Sequence, residues 1–531
     1  MHSVVAWKSA GLAVLAAILV AAVAVSGGSG SDPRTPAALP GMPPPFLGTA
    51  VTGGGGTTAA VDAYGDVVDL RPSPAGPALI DNSSARQAAG TVPADTGIVP
   101  RVSLGGGPAL PLWRADSVTQ RYLPRTNVVR TEGRFGETRV AVITAAEGDE
   151  LAVVVRIWPE KGQRMEPSVG VSVAGGVRCA RDMQGGQLDL LCRVGRAVPP
   201  ALGAAAQDIP EQARAVIRQS ASDDRRWLGR AEALGSGAPA WAEEMYRRSL
   251  LVLRALTDSR TGAVAAGARD GWAYVWPRDA ATAALALRAA GYEGDARRVA
   301  RFLSRLNLDA AARFEADGSP VPGRAAQGDA NGWVRAAERA TAVVKGSRRS
   351  PELESAASAL PWRGRADYQE GSGGEYLGNA IAAGAPLGPF ATPKGLVRQA
   401  GDPASGLDSA AAWAVRPFPR RGAFPAVRRT LLRLLATGTR YGITPGEGWS
   451  GGSDPWTAPT AWSAWALAAL GDRAAALHLL GDLRRAATPA GALPERVDAR
   501  TGTPRSTTPL AWSHAFTVLT LLQLWPTHHR G

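Results

Sequence analysis

The sequence predicts an α+β multidomain chain in which an N-terminal antiparallel β-sandwich precedes a toroid of helical hairpins. Two observations support this class. Short alternating runs rich in β-branched residues, separated by Gly, Asp and Pro, extend from about Gly48 to Gly195. Near Pro199 the apolar spacing changes to that of helices, many of them paired by short Gly-containing links. Such pairing suits a toroid better than a four-helix bundle, although a helical solenoid has the same pattern.

The N-terminal residues are predicted to direct export. An uncharged apolar run covers residues 10–25, which is short for a membrane span of about 20 residues. A small-x-small motif ending at Ala24 offers a cleavage site, so residues 1–30 are expected to act as a signal peptide or a membrane anchor. Residues 31–46 form a Gly-, Ser- and Pro-rich linker. We therefore expect an extracytoplasmic protein, either secreted or, if the segment is kept, held in the membrane through residues 4–25.

The β-sandwich domain is predicted over residues 47–198. Cys179 and Cys192 are the only cysteines of the chain, and they lie on the two arms of a strand, Gly-Gly turn, strand pattern. In an exported protein a disulfide that clips this hairpin is favoured over two free thiols. The five histidines form no ligand pattern with the cysteines, so no metal site is expected.

Helices are predicted for most of the remaining chain, with residues 199–239 as a linker that contains a helix and residues 240–531 as the helical domain. Asp279 is predicted to cap one helix, because it precedes an Ala- and Leu-rich run that ends at Gly291. The apolar spacing predicts helices over 240–258, 279–290, 294–306, 332–345, 408–415, 424–437, 457–470, 472–486 and 510–524.

The charge pattern argues against nucleic-acid binding. The formal net charge is +13, but the basic residues are nearly all arginine and are scattered among Ala and Gly. No Gly-rich phosphate-binding motif follows a predicted strand. We expect a monomer with no nucleic-acid partner and no cofactor.

Four non-helical segments carry aromatic and charged side chains that a simple connection between helices does not require. The first, AYVWPRD, holds Tyr274, Trp276, Arg278 and Asp279 immediately before a helix. A helix cap alone would explain only Asp279. Aromatic planes, a forked donor and a carboxylate together are the usual means of gripping a sugar ring and its hydroxyls. The first segment therefore predicts a carbohydrate site.

The other three segments are also loops with carboxylates and aromatic residues. They are GRAAQGDANGWV with Asp329, PWRGRADYQEGSGGEYLGNA with Asp367 and Glu370, and GALPERVDARTGTPRSTTPLAWSHAF with Glu495 and Trp512. Hydrolysis of a glycosidic bond needs one carboxylic acid and one carboxylate. Glu370 and Glu495 are the best pair by context, although each alone also fits a solvated loop residue or the partner of an arginine.

These motifs resemble a known family. YVWPRDAATAALALRAAGY, DYQE, GGSDPWTAPTAWSAWALAALG and LPERVDARTGTPRSTTPLAWSHAF are similar, in this order, to the bacterial branch of glycoside hydrolase family 15, the glucoamylases and glucodextranases. The resemblance extends from about residue 47 to the C-terminus, and AAVDAYGDVVDL resembles the N-terminal β-domain of that branch. It implies a β-sandwich packed on an (α/α)6 barrel, and exo-acting hydrolysis of α-glucosidic bonds in α-glucan or related oligosaccharides with inversion.

The resemblance also implies catalytic roles. Glu370 falls where the family places its general acid, and Glu495 falls where it places its general base. Glu370 would need burial and a nearby negative charge to keep its proton near neutral pH. Glu495 would have to stay ionised among hydrogen-bond donors.

Substrate contacts follow from the same motifs. By resemblance, Arg278 and Asp279 hold the hydroxyls of the non-reducing glucose, and Trp276 and Trp512 form aromatic walls of the pocket. The predicted substrate-binding residues are Tyr274, Trp276, Arg278, Asp279, Asp329, Asp367, Trp456 and Trp512.

Two departures from the family pattern affect this pocket. Gln369 stands where the family usually has an aromatic residue before the acid, and Gly328 stands where a large apolar residue commonly precedes the Asp. A widened pocket or a slow enzyme would follow. The alternatives to a glucoamylase-like glycosidase are therefore a catalytically weak or inactive cell-surface carbohydrate-binding protein, or trehalose hydrolysis, phosphorolysis or polysaccharide lysis on the same toroid.

Overall fold

The structure is a computed structural model, and it describes residues 37–90, 92, 96–104, 106–161, 165–172, 176–195, 208–342 and 362–527. The predicted export segment lies outside these residues, as do residues 31–36 of the predicted linker and the end of the helix predicted over 332–345. The described residues belong to one compact unit.

Antiparallel strands build the first part of the chain. They are β1 (Gly48–Thr52), β2 (Thr58–Asp62), β3 (Val67–Arg71), β4 (Ile80–Asp81), β5 (Gly97–Leu104), β6 (Ala109–Pro111), β7 (Ser117–Tyr122), β8 (Val129–Phe135), β9 (Thr138–Glu147), β10 (Glu150–Trp158), β11 (Met165–Ser172), β12 (Val177–Gln184) and β13 (Gln187–Val194). A short helix, α1 (Ser84–Ala88), follows β4.

The described strands of this part form two sheets that share one core. One sheet has the order β1-β2-β3-β5-β11, with β4 on β3 and β6 on β5, and the other has the order β12-β13-β10-β9-β8-β7. Apolar side chains from both sheets meet in the core, among them Val67, Ile98, Val142 and Val153. The predicted antiparallel β-sandwich is therefore confirmed.

The cysteines lie directly opposite each other in the β12–β13 hairpin and form a disulfide. Gly185 and Gly186 make the turn, both with positive φ, which glycine adopts at little cost. Cys192 is fully buried, so the bond ties the edge strand β12 to the strand that packs in the core. The pairing of Cys179 with Cys192 is the one favoured from the sequence.

Helices dominate the second part of the chain. They are α2 (Ile209–Leu228), α3 (Ala240–Leu256), α4 (Pro277–Ala289), α5 (Glu293–Leu303), α6 (Ala330–Thr341), α7 (Leu377–Ala383), α8 (Phe424–Thr437), α9 (Thr457–Ala469), α10 (Arg473–Ala486) and α11 (Ala511–Leu524), with a 3-10 helix over Ser409–Ala414.

The helices close into a ring. Among the described residues its inner elements are α4, α6, α7, the 3-10 helix, α9 and α11, each packed on the next, and α11 packs in turn on α4. Outside them, α5 packs on α4, α8 on the 3-10 helix, α10 on α9 and α3 on α11. The residues Thr457–Leu467 of α9 are buried on all sides, as expected for an inner helix. This closure distinguishes the predicted helical toroid from a solenoid and confirms it.

One side of the toroid contains strands that the sequence analysis did not predict. A small sheet of β14 (Ala391–Thr392), β15 (Gly395–Gln399) and β16 (Asp402–Leu407) packs on α7 and α8.

The helix predicted over 408–415 is a 3-10 helix, which begins where the Asp408 carboxylate accepts a hydrogen bond from Ala410 N–H. The apolar spacing thus located a helical segment correctly but did not distinguish the tighter 3-10 type from an α-helix.

Helix α4 begins two residues earlier than predicted. Its N-cap is Trp276, Pro277 occupies the first helical position, and no side chain caps it. Proline fits that position because its fixed φ is helical and its missing N–H would have had no partner. The prediction that Asp279 is the N-cap is therefore wrong; Asp279 lies within the first turn, where a carboxylate still interacts favourably with the helix dipole.

The sandwich and the toroid are joined by one continuous core. Helix α2 packs its apolar face on β9, β10 and β13, and the main core cluster contains residues of both parts. Asn127 crosses the junction, because its side-chain amide donates to the carbonyls of Gly53 and Leu251, while Arg248 donates to its oxygen.

No helix in the described part of the chain has both the length and the apolarity to cross a membrane.

Candidate active site

The loops that precede the inner helices are tied to one another. Residue 327 pairs with residue 366, residue 267 with residue 510, and residue 456 with residue 496, each through an isolated β-bridge. These pairs join the loops before α4, α6, α7, α9 and α11 at one end of the toroid. All four chemistry-bearing segments of the sequence belong to these loops, and loops fixed on a rigid scaffold are where binding and catalysis concentrate.

Backbone hydrogen bonds on both sides fix Glu495. Its N–H donates to the carbonyl of Thr507 at 2.9 Å, and its own carbonyl accepts from the N–H of Thr457 at 3.0 Å. Thr457 is the first residue of α9. The loop that carries Glu495 is therefore clamped between the start of α9 and the segment that leads into α11.

The Glu495 carboxylate is buried and hydrogen-bonded. It accepts from Trp272 Nε1 at 3.1 Å and from the hydroxyl of Ser506. Burial raises the pKa of Glu495, while the hydrogen bonds from Ser506 and Trp272 and the charges of Arg496 and Arg324 act in the opposite direction. The carboxyl is thus held in one orientation, and it gives up its proton at a higher pH than an ordinary glutamate.

A tight turn presents Glu370. The carbonyl of Asp367 accepts from the N–H of Glu370 at 2.9 Å, and the Asp367 carboxylate accepts from the N–H groups of Gln369 and Gly371 at 3.1 and 2.9 Å. Arg398 on β15 holds the same carboxylate with hydrogen bonds of 2.8 and 2.9 Å. Glu370 has a φ of 63°, a left-handed conformation that is uncommon for residues other than glycine. Strain of this kind persists where surrounding contacts over-determine it.

Glu370 does not have the buried environment expected from the sequence. Its side chain is 50% exposed and forms an ion pair with Arg324. An opposite charge favours the ionised form of a carboxyl group, whereas a general acid must carry a proton. The expectation that burial holds the proton on Glu370 is therefore wrong for the free protein, because the turn projects this side chain toward solvent and toward an arginine.

Arg278 is the centre of a buried polar cluster. Its Nη1 donates to Gln327 Oε1 at 3.0 Å and to Asp329 Oδ2 at 2.7 Å, and its guanidinium lies 4.6 Å from the ring centroid of Trp512. Asp279 adds a second carboxylate, with 4.0 Å between its Oδ2 and Arg278 Nε. The structure thus brings together four of the predicted substrate-binding residues.

Burial and the neighbouring charges change the pKa of Asp279. Burial raises the pKa of Asp279 to about 7; the charge of Arg278 opposes this effect, and the charges of Asp329 and Glu495 add to it. The polar cluster and the Glu495 carboxyl therefore lie close enough to influence one another's protonation.

Aromatic rings border the carboxylates. The ring centroids of Trp272 and Trp276 lie 6.4 Å apart, and Arg313 lies over Trp276 and over Tyr274. Trp456 is the residue before α9, and its ring packs edge-on against Trp449 at 5.0 Å. Its backbone pairs with residue 496, which places Trp456 beside the loop of Glu495.

Asp367 is engaged within its own turn, and the disulfide belongs to a different part of the chain. Both carboxylate oxygens of Asp367 are engaged by its own turn and by Arg398, and its side chain is buried. This arrangement favours a positioning role over the predicted substrate contact. Cys179 and Cys192 belong to the β-sandwich.

The two departures from the family pattern have local explanations. A Cβ at Gly328 would lie 2.6 Å from the side-chain nitrogen of Asn379 and 2.8 Å from the carbonyl oxygen of Trp362. Asn379 therefore fills the space that a larger residue would take, and no widening results at this position. Gln369 donates from its amide to Tyr368 Oη at 2.9 Å, so it belongs to the polar network behind Glu370.

Three residues of the site were absent from the sequence predictions. Arg324 contacts Glu370, and Trp272 and Ser506 contact Glu495. Trp272 lies close to the AYVWPRD segment, and the local density of aromatic residues was the available signal. Arg324 and Ser506 lie within two of the chemistry-bearing segments, but neither was picked out there from its neighbours. In the described ranges no three His, Cys, Asp or Glu side chains converge to hold a metal ion.

Comparison with known proteins shows similarity in structure only. No protein-family model and no curated protein sequence matches the chain. A crystal structure of a bacterial glucoamylase in complex with acarbose matches with a TM-score of 0.69 and 14% identity, over 94% of this chain and 96% of that one. A glucoamylase from Saccharomycopsis fibuligera and a wild-type glycosidase each match 54% of this chain, both with TM-scores of 0.44, at 15% and 20% identity and over 94% and 99% of their own chains. The protein therefore has the fold of bacterial glucoamylase, a β-sandwich followed by an (α/α)6 toroid, as the motifs implied.

Proposed function

We propose that this protein is an exported glycoside hydrolase that removes glucose from the non-reducing ends of α-glucosides with inversion of the anomeric carbon. The proposal rests on one observation: the loop glutamates Glu370 and Glu495 have Arg324 as a common neighbour. Arg324 forms an ion pair with Glu370, and its charge acts to lower the pKa of Glu495. Hydrolysis by this route requires only two carboxyl groups, and the named substrate contacts lie around them.

Glu495 is the proposed general base. Its carboxylate is held by Trp272 and Ser506, and such fixed hydrogen bonds orient it toward one water molecule. In the reaction the water oxygen bonds to the anomeric carbon as the glycosidic C–O bond breaks, and the water proton passes to Glu495. The base must be ionised, so the raised pKa of Glu495 predicts that activity falls toward acidic pH.

Glu370 is the proposed general acid. It donates its proton to the leaving oxygen, and the Asp367 turn determines where its side chain projects. Because Arg324 favours the ionised carboxylate, the ion pair has to open before Glu370 carries a proton.

Arg278, Asp279 and Asp329 are the proposed grip on the terminal sugar. Together they supply charged donors and acceptors in a buried cluster, in which Arg278 packs against the ring of Trp512. This combination supports recognition of one sugar ring, in line with an exo-acting enzyme. The bacterial glucoamylase of similar fold was crystallised with acarbose.

Export is proposed from the sequence of residues 1–30 alone, as a signal peptide or membrane anchor. The cell-surface location is tested by fractionating cells that produce the full chain and by determining the N-terminus of the mature protein. A mature chain that begins near residue 25 indicates cleavage, whereas recovery of the chain in the cytoplasm contradicts export.

A carbohydrate-binding protein without useful activity is the second candidate. The exposed, arginine-paired Glu370 favours it, because a carboxylate locked in this state donates no proton. Glucose release from α-1,4, α-1,6 and α,α-1,1 glucosides separates the two. The proposal expects release by the native chain and a loss of at least about 1000-fold in the variants Glu370→Gln and Glu495→Gln. Oligosaccharide binding without any release would support the second candidate.

A further inference from the structure

A short hairpin before α6 places two arginines side by side. The N–H of Ala312 donates to the carbonyl of Arg324 at 3.3 Å, and the N–H of Val321 donates to the carbonyl of Arg313 at 3.0 Å. Arg313 and Arg324 are therefore on opposite arms of one backbone-paired unit. Neither residue was singled out by the sequence motifs.

Both guanidinium groups cover the aromatic wall of the site. Arg313 lies 4.8 Å from the ring centroid of Tyr274 and 5.7 Å from that of Trp276. Arg324 lies 5.6 Å from the centroid of Trp272 and 5.8 Å from that of Trp276. A site for neutral glucan needs such ring faces for stacking on sugars. Here cations occupy them.

The two positive charges are compensated unequally. Arg324 pairs with Glu370. Arg313 donates to the carbonyls of Gly271 and Pro322 at 3.1 and 3.4 Å, and in the described part of the chain it makes no ion pair. Burial and the charge of Arg313 both lower the pKa of Arg324, which is the expected effect of a like charge held close by. Within the described residues, direct ion pairing thus engages Arg324 but not Arg313, whose charge acts on the carboxylate of Glu315 only through a longer-range interaction.

We propose that the site takes an α-glucoside whose leaving group carries an anionic substituent, a carboxylate or a phosphate, which Arg313 and Arg324 bind. The proposal rests on the proposed function and specifies its substrate class. Guanidinium forks match the oxygen pairs of both anions, and the Arg324 side chain is 28% exposed, so an incoming anion reaches it.

An anionic substrate also explains how Glu370, which is paired with Arg324 in the free protein, acquires the proton that a general acid must donate. An anion that engages Arg324 competes with Glu370 for the guanidinium, and the released carboxyl group takes up a proton from solvent. Glu370 then passes that proton to the glycosidic oxygen while water, deprotonated by Glu495, attacks the anomeric carbon. The products are glucose and the anionic alcohol, and no further reactant is consumed. A neutral leaving group leaves the ion pair closed.

Two matched substrate pairs test the proposal on the full-length protein. Maltobionate and maltitol differ only in a carboxylate against a hydroxymethyl group on the leaving part, and trehalose 6-phosphate and trehalose differ only in a phosphate. We expect kcat/KM to be at least about tenfold higher for the anionic member of one pair, and the pair that shows it identifies the anion. Equal or lower values for both anionic members overturn the proposal.

Arg313→Gln is the informative variant, because Arg313 does not contact Glu370. It is expected to reduce the anionic preference to about twofold or less. Arg297→Gln, which removes an exposed arginine of α5 paired with Glu293, is the control and keeps the preference. An unchanged preference in Arg313→Gln contradicts the assignment.

Binding separates failure of this inference from failure of the proposed function. If no substrate is cleaved, the hydrolase proposal fails, and calorimetric titration of the same two pairs then decides the anion question. Tighter binding of an anionic member by about tenfold, lost in Arg313→Gln, supports the anion site without catalysis. Equal affinities within both pairs overturn it.

Discussion

Asp408 is a buried carboxyl group in the hydrogen-bond network behind Glu370. It accepts hydrogen bonds from the hydroxyl of Tyr368 at 2.7 Å and from the N–H of Ala410 at 2.7 Å. Burial raises the pKa of Asp408 to about 7, and these hydrogen bonds oppose the effect. Because the pKa is higher in the folded than in the unfolded protein, this group contributes stability below about pH 4 that is lost as the pH rises through about 7.

The variant Asp408→Asn is therefore expected to behave differently at the two ends of this range. At pH 4 it is less stable than the native protein, because it loses the contribution of the protonated carboxyl. As the pH rises to 8 the difference in Tm shrinks or changes sign, since asparagine has no charge to bury. Thermal unfolding of both proteins at several pH values measures this trend. A difference in Tm that is constant with pH contradicts the assignment.

Asp367 is a positioning residue, and its removal separates orientation from binding. We expect Asp367→Asn to lower kcat about tenfold or more with little change in KM, because the Glu370 turn loses its charged clamp to Arg398. The control is Glu375→Gln, which removes an exposed ion pair with Arg363 on the same loop. Equal effects of both variants on kcat, or an Asp367→Asn effect confined to KM, contradict the positioning role.

Sequence alone predicts the chemistry-bearing residues better than their environments. Asp279, Asp329 and Glu495 were recognisable from motifs, and the structure gathers them at one end of the toroid. The ion pair of Glu370 was not recognisable from motifs. Its partner Arg324 comes from a different loop, and only the folded backbone brings the two residues together. Arginine is also the commonest basic residue here, so one more arginine gives no signal.

At the scale of elements, Gly328 is a position where packing depends on the absence of a side chain. A Cβ there meets Asn379 and the carbonyl of Trp362 at less than the 3.0 Å that real Cβ atoms keep. Gly328→Ala is expected to cost about 1–3 kcal/mol of unfolding free energy, because the loops before α6 and α7 must separate. Denaturant unfolding measures this loss.

A matched glycine provides the control for that experiment. Gly422 has no neighbour within 4 Å of an added Cβ, so Gly422→Ala is expected to change the unfolding free energy by less than about 0.5 kcal/mol. Combining Gly328→Ala with Asn379→Ala should recover part of the loss only if Asn379 causes the clash. Similar stabilities for the two single variants contradict this explanation.

The regular helices were predictable because their signals are local. The predicted segment 424–437 coincides with α8, and the segments 457–470, 472–486 and 510–524 differ from α9, α10 and α11 by one residue at an end. The sheet of β14 to β16 was missed, since its strands are short and partly exposed and their pairing depends on contacts with α7 and α8.

At the scale of the whole molecule, the β-sandwich and the toroid are expected to unfold together. Their residues share one core cluster, and buried side chains such as Asn127 bridge them. Asn127→Ala leaves the carbonyls of Gly53 and Leu251 without this donor, so we expect a loss of about 2–4 kcal/mol. Differential scanning calorimetry should show one transition, shifted to lower temperature. Two separate transitions in the native protein contradict the shared core.

The central claim is that Glu370 and Glu495 catalyse hydrolysis with inversion, and the anomer of the first glucose released tests it most directly. Proton NMR of the early time course, with the fastest substrate of the panel and the full-length protein, distinguishes the anomers before they equilibrate. The account predicts β-glucose from the native protein and no detectable release from Glu495→Gln over the same period. Release of α-glucose, or unchanged release by Glu495→Gln, would contradict it.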